Sequence, residues 1–483
     1  MKRNRFLHLA ATLTLAATLT CNSFLCVATT SYATTKIDLG DDAEHDTTDG
    51  NTNVKWPKGP NAKSLTSDSA ILMDADTGLI IYNKNMTEQH YPASITKILT
   101  TLLCVENTNP DDVVTFTKDE VTNLEYGASN IDTQVGEKLT MEQCLYGIML
   151  SSANEVCNGV ADFIAGSTSA FADKMNQRAK SLGCINSHFM NANGLHNDDH
   201  YTCAYDMALI GKAALQNETF RKVAGTKVYY MDRTNKYKKR TLVNHHNMLY
   251  GYSTTAFLNS DCIGGKTGFT SVAQSTLVTF AKRDNTTLVC VVMHGTSSKT
   301  NPSSNIYTDT KALLDFGFSK YYSCNLEDTQ NASEEDNLPF FNAFSSIFDT
   351  ANAPLKTDHA VKITIPVGVK KEKVKQKVSF QKIDSTTHQI GTVTYTYGQK
   401  NVGSTNIYFD QQAGDQSLIT NNDLHFSNRS KIAGAAKTRL FVLHILGGTL
   451  ALAVIIGSLS FYLLVIRKRQ QLRKDYYNAR RRY

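Results

Sequence analysis

Residues 440–466 carry no charge at neutral pH apart from what His444 holds, and most are Leu, Ile, Val, Ala, Gly or Phe. As a helix, such a run crosses a hydrocarbon layer of about 30 Å with some tilt. Arg467-Lys468-Arg469 follow at once, and the tail 467–483 holds eight basic residues against the single acid Asp475. The positive-inside tendency assigns that tail to the cytoplasm and everything before residue 440 to the outside. A buried core helix would be shorter and would lack the abrupt basic flank.

The opposite end reads as an export leader over 1–33. Lys2, Arg3 and Arg5 precede an apolar stretch reaching about Val27, and Ser31-Tyr32-Ala33 offers small residues for cleavage near Ala33. An uncleaved N-terminal anchor is the alternative. Cys21 and Cys26 follow Thr20 and Leu25, which argues against lipoprotein processing.

This topology changes the meaning of the charge. Removing the tail's eight bases and one acid and the leader's three bases from the formal +6 leaves about −4 for the exported portion. The basic excess therefore sits at the membrane, and no nucleic-acid partner is expected. Of ten cysteines, eight remain after the leader, at irregular spacings with no C-x-x-C pair. Several fall in apolar helical contexts (Cys104, Cys144, Cys157), so mostly free, buried thiols are expected.

Between the ends, 34–65 is polar and reads as a linker. Order begins near Ser67, where two apolar runs flank Asp74-Ala75-Asp76-Thr77-Gly78, the pattern of a β-hairpin. Helices are expected over 93–106, 140–150 and 154–164, and strands over 277–281 and 287–293. Strands at both ends with helices between imply a mixed α/β domain over 66–321. A linker over 322–358 precedes alternating strands over 359–412, a small all-β domain, and 413–439 leads to the apolar run.

Three short motifs carry chemistry. In Ser94-Ile95-Thr96-Lys97, one helical turn sets a lysine beside a serine. A serine hydroxyl is a poor nucleophile until a neighbouring base takes its proton, and a lysine does this only when held neutral. Ser152-Ala153-Asn154 follows a helix end, where a hydroxyl and an amide face a cleft; alone, S-x-N commonly means a helix cap. Lys266-Thr267-Gly268 lies among glycines in Ile263-Gly264-Gly265-Lys266-Thr267-Gly268-Phe269-Thr270, an expected edge strand that lets a substrate backbone approach.

S-x-x-K, S-x-N and K-T-G in this order resemble the signature of penicillin-binding proteins and serine β-lactamases. The surroundings are similar to the low-molecular-weight D-Ala-D-Ala carboxypeptidases: Tyr91-Pro92-Ala93-Ser94, Ser152-Ala153-Asn154-Glu155, Asn193-Gly194-Leu195-His196 with His200-Tyr201, and Leu313-Leu314-Asp315-Phe316-Gly317-Phe318. The resemblance implies a penicillin-binding/serine β-lactamase-like catalytic domain, then a β-rich domain and a C-terminal anchor. It also implies a membrane-anchored, extracytoplasmic enzyme acting on peptidoglycan stem peptides that end in D-Ala-D-Ala, and covalent binding of β-lactam antibiotics. Ser94 would be the nucleophile, Lys97 the general base, and Ser152, with Lys266, a proton shuttle. Asn154, Lys266, Thr267, Gly268 and Phe269 would hold substrate, with the backbone N–H groups of Ser94 and Phe269 as oxyanion donors. No metal or cofactor is implied.

One departure is visible. Related enzymes often carry a carboxylate-binding arginine shortly before the closing helix, whereas this chain has Asn305-Ile306-Tyr307-Thr308-Asp309. A β-lactamase reading lacks its E-x-x-L-N loop, since Glu155 and Glu218 are the only glutamates between Asn154 and Lys266. A zinc reading of His188, His196, Asp198, Asp199 and His200 lacks H-E-x-x-H. A non-catalytic wall sensor and a cross-link endopeptidase are the remaining alternatives.

Overall fold

The computed structural model describes residues 54–122, 124–296, 304–326, 355–357, 361–380 and 389–409. The expected leader 1–33, the juxtamembrane stretch 413–439, the apolar run 440–466 and the basic tail 467–483 lie outside them. Among the described residues no helix is long and apolar enough to cross a membrane.

In chain order the elements are β1 (Ser67–Asp74), β2 (Ile80–Lys84), a 3-10 turn (Ala93–Thr96), α1 (Lys97–Asn107), β3 (Val113–Thr115), α2 (Lys118–Thr122), β4 (Lys138–Thr140) and α3 (Met141–Leu150). Then come α4 (Asn154–Ala165), α5 (Thr168–Ser181), α6 (Ala204–Gln216), α7 (Glu218–Ala224), β5 (Val228–Met231), β6 (Arg240–Val243), β7 (Cys262–Thr270), β8 (Gln274–Arg283), β9 (Thr286–Gly295) and α8 (Ser304–Lys320). The remainder is β10 (Tyr321–Asn325), β11 (Leu355–Thr357), β12 (Lys362–Pro366), β13 (Lys375–Phe380), β14 (Gln389–Tyr397) and β15 (Lys400–Phe409).

The main sheet has the order β2-β1-β9-β8-β7, every pair antiparallel. Side chains alternate across a strand, so a sheet covered on both faces needs apolar residues at successive positions. β1 and β9 meet that demand. Ile71, Met73, Val289, Val291 and Met293 face the larger core with α1, α3, α4 and α6, while Ala70, Leu72, Leu288, Cys290 and Val292 pack under α8. Each of the Val, Leu, Ile and Met side chains contributes about 1.5–3 kcal/mol of burial. The result is a helix–sheet–helix sandwich, the mixed α/β class expected from the alternating segments.

Helix boundaries follow local chemistry. Thr140 caps α3 by accepting from the Gln143 N–H, and the Gln143 side chain returns to the Thr140 N–H. α4 ends on Gly166, in the left-handed region at φ 78°.

Two stretches read as linkers contain structure. Trp56, inside the polar 34–65, stacks on Tyr321 at 6.4 Å and meets Tyr397 edge-on at 5.4 Å. β10, which starts at Tyr321, runs into 322–358 and β11 lies within it; β10 pairs antiparallel with β12, and β11 joins the sheet β11-β15-β14-β13. Local composition hid both, because their apolar partners lie far along the chain. Cys104, Cys144, Cys157, Cys184, Cys203, Cys262 and Cys290 form no disulfide among the described residues, and all of them but Cys184 are buried.

Candidate active site

The end of β7, the turn before α1 and the junction of α3 with α4 converge on Ser94. The chain enters by Ala93, which adopts φ +51°, and Ser94 follows in the 3-10 turn. That bend is braced from outside. Gly194 lies so close that a β-carbon on it would stand 2.0 Å from the Ala93 carbonyl oxygen. The Met190 N–H donates to His200 Nδ1 at 3.1 Å, which leaves His200 Nε2–H to donate to Thr96 Oγ1 at 3.0 Å. Thr96 donates in turn to the Ala93 carbonyl at 2.8 Å. Burial pushes His200 down to about 3, so it is the neutral ring that holds this relay.

Lys97 opens α1 and is fully buried. Its Nζ lies 3.0 Å from Ser94 Oγ, 2.8 Å from Asn154 Oδ1 and 2.5 Å from the Asn193 carbonyl oxygen. Burial lowers its pKa to about 8, against smaller opposing effects of Cys157 and Glu155. A neutral amine has two N–H bonds and one lone pair. With both bonds spent on Asn154 and Asn193, the lone pair faces the Ser94 hydroxyl, the arrangement a general base needs.

Ser152, at φ +58° between α3 and α4, brings its Oγ to 3.0 Å from Ser94 Oγ. Asn154 opens α4, and its Nδ2 donates to the Ser129 carbonyl at 2.9 Å. β7 is the outer strand of the sheet as described, and Lys266 and Gly268 share one of its faces. Lys266 is buried, its Nζ 2.9 Å from the Thr267 carbonyl oxygen, and burial followed by the charge of Lys97 lowers it to about 7. Phe269 is 58% exposed.

The sequence profile of D-alanyl-D-alanine carboxypeptidases, peptidase S11, matches residues 56–297. The chain belongs to this family. It is 38% identical over 257 residues to the Bacillus subtilis D-alanyl-D-alanine carboxypeptidase DacF, covering 52% of this chain and 62% of that protein. A D-alanyl-D-alanine carboxypeptidase of a Streptomyces species is 32% identical over 262 residues, 51% of this chain and 85% of that one. The structure of Haemophilus influenzae penicillin-binding protein 5 superposes with a TM-score of 0.53 at 24% identity, over 71% of this chain and 96% of that one, a likeness of fold.

The S-x-x-K, S-x-N and K-T-G residues of this S11 chain are thus brought together around Ser94. Sequence reasoning passed over the groups that hold them: the Asn193 and Ser129 carbonyls, the His200 relay, and Thr276, whose hydroxyl donates to the Pro92 carbonyl at 2.9 Å. Backbone carbonyls leave no mark in a sequence; Asn193 carried only its place in a quoted motif. The histidine-rich stretch is divided among separate partners. His188 Nδ1 meets the Asp199 carbonyl at 2.7 Å, His196 pairs with Asp198 at 3.2 Å, and His200 serves Thr96.

The stretch without an arginine lies in α8, where Ile306, Tyr307 and Asp309 hold the fold. Ile306 and Tyr307 are buried under the sheet, and Asp309 Oδ2 accepts from the Ser67 N–H at 2.8 Å and the Ser67 hydroxyl at 2.7 Å.

Proposed function

We propose that this chain removes the terminal D-alanine from peptidoglycan stem peptides through an acyl-enzyme on Ser94. The observation that carries the proposal is the fully buried Lys97 amine, 3.0 Å from Ser94 Oγ with its other hydrogen-bonding directions taken. Lys97 takes the Ser94 proton as Oγ attacks the carbonyl of the penultimate D-alanine. Backbone N–H groups of Ser94 and Phe269 receive the developing oxyanion. The C–N bond then breaks, the leaving amine takes a proton relayed through Ser152, and free D-alanine departs. Lys97 next deprotonates a water that attacks the ester, restoring Ser94. Asn154 orients the peptide, Lys266 and Thr267 hold its terminal carboxylate, and Gly268 lets the backbone approach.

A β-lactam enters the same path and remains as a penicilloyl ester. We place the enzyme outside the cell, exported by 1–33 and anchored by 440–466, with 467–483 in the cytoplasm and the β-rich unit as spacer or docking module. Incubating the full-length chain with penicillin and mapping the adduct by peptide mass spectrometry tests the chemistry. The adduct is expected on the peptide containing Ser94 and absent from Ser94→Ala. An adduct elsewhere, or none on folded protein, contradicts the assignment.

A further inference from the structure

Next to Asn154 at the start of α4, Glu155 is 1% exposed. Its Oε1 accepts from the Ile131 N–H at 2.8 Å and from the Thr133 hydroxyl at 3.0 Å. Its Oε2 is buried with no hydrogen-bond partner, so the whole grip of the side chain is on residues 131–133. From the other side Arg240 donates to the Ile131 carbonyl at 2.8 Å and to the Asp132 carbonyl at 3.0 Å. Asp132, between them, adopts φ +58°, a conformation that persists only where its surroundings impose it.

This clamped segment reaches the reaction through Ser129. The Ser129 carbonyl accepts both the Asn154 backbone N–H and Asn154 Nδ2, each at 2.9 Å. A carboxamide has one nitrogen and one oxygen. With Nδ2 committed to Ser129, Oδ1 is the atom left to face Lys97 Nζ, which it does at 2.8 Å. If Ser129 shifts, the amide is free to turn its NH2 toward the lysine, setting donor against donor and removing an acceptor that aims the amine at Ser94.

We propose that Glu155 is a positioning residue of the active site: by clamping residues 131–133 it sets the Ser129 carbonyl that orients the Asn154 amide against Lys97. The proposal rests on the serine-acylation reading above and adds to it the means by which Asn154 is held. It needs an acceptor at Oε1, which glutamine also supplies.

The test is the second-order rate of acylation of the full-length chain by a fluorescent penicillin, read on gels, for the parent, Glu155→Ala, Glu155→Gln, Asn154→Ala and the double variant Glu155→Ala/Asn154→Ala. Glu155→Ala is expected to slow acylation about tenfold to a hundredfold. Glu155→Gln is expected to recover most of that loss. Because both changes act through one amide, the double variant should fall within about twofold of Asn154→Ala alone, whereas an independent structural role would multiply the losses. If Glu155→Ala does not fold, Thr133→Val, which removes one of the two donors, enters the same comparison. Multiplying losses, a Glu155→Gln as slow as Glu155→Ala, or a Glu155→Ala as fast as the parent overturns the clamp alone. A folded parent that penicillin never acylates overturns the underlying reading and the clamp with it.

Discussion

Gly268 and the backbone nitrogen of Ser94 are in direct contact: a β-carbon on Gly268 would stand 2.9 Å from that nitrogen, 2.4 Å from Thr276 Oγ1 and 3.0 Å from the Pro92 carbonyl oxygen. The K-T-G strand thus packs against the nucleophile turn, and Thr276, opposite Gly268 on the neighbouring strand β8, ties that turn to the sheet through its hydrogen bond to the Pro92 carbonyl.

Gly268→Ala therefore pushes β7 away from the Ser94 amide, one of the two oxyanion donors in the proposed mechanism. Loss of one such donor costs about 100-fold to 1000-fold in rate. We expect a loss of that order in penicillin acylation, with circular dichroism showing a folded protein. A Gly268→Ala enzyme acylated at the parent rate would contradict the contact.

The pH dependence follows from Lys97. Only the unprotonated amine accepts the Ser94 proton, and burial lowers the lysine to about 8. Below that pH the ammonium form prevails and acylation slows; above it the base form is full and the rate levels off. The rising limb of the acylation profile should centre near pH 8, well below an exposed lysine. Lys97→Arg, which stays protonated throughout, should lose the reaction at every pH. A rate independent of pH between 6 and about 9 would argue against Lys97 as base.

Much of the site was legible in the sequence because its side chains come in short local motifs whose spacing has a mechanical meaning. A lysine three residues after a serine faces it across one helical turn, and that is where Lys97 lies. The hairpin at β1–β2 and the paired strands β8 and β9 were legible through unbroken apolar runs. What stayed hidden depends on partners far apart in the chain. Ser129 and Asn193 act through carbonyls that any residue supplies. Trp56 sits in a polar stretch and is ordered by Tyr321 and Tyr397, and Arg240 meets Glu137 across more than a hundred residues.

That last pair makes a stability prediction. Arg240 and Glu137 are joined by two hydrogen bonds, at 2.6 and 2.8 Å, with Arg240 6% and Glu137 0% exposed in their side chains. Arg240→Met strands a buried carboxylate, which costs about 3–5 kcal/mol. Urea unfolding should show a loss of that size. A change below about 1 kcal/mol, the scale of a surface pair, would mean that the carboxylate is relieved in another way.

Trp56, the only tryptophan of the chain, rests on Tyr321 and Tyr397, with the Lys400 ammonium 5.1 Å from its ring. Trp56→Ala is expected to lower stability by about 2 kcal/mol while leaving penicillin acylation unchanged. A thermal melt and an acylation time course on the same sample check both halves. An unaltered melting temperature would show that this contact contributes nothing.

The central claim is hydrolysis through Ser94, and release of D-alanine tests it most directly. The full-length chain and its Ser94→Ala variant would be assayed in parallel on a peptide ending in Lys-D-Ala-D-Ala. The account predicts D-alanine from the parent and none from the variant. Release that survives Ser94→Ala, or its absence from a folded parent, would contradict it.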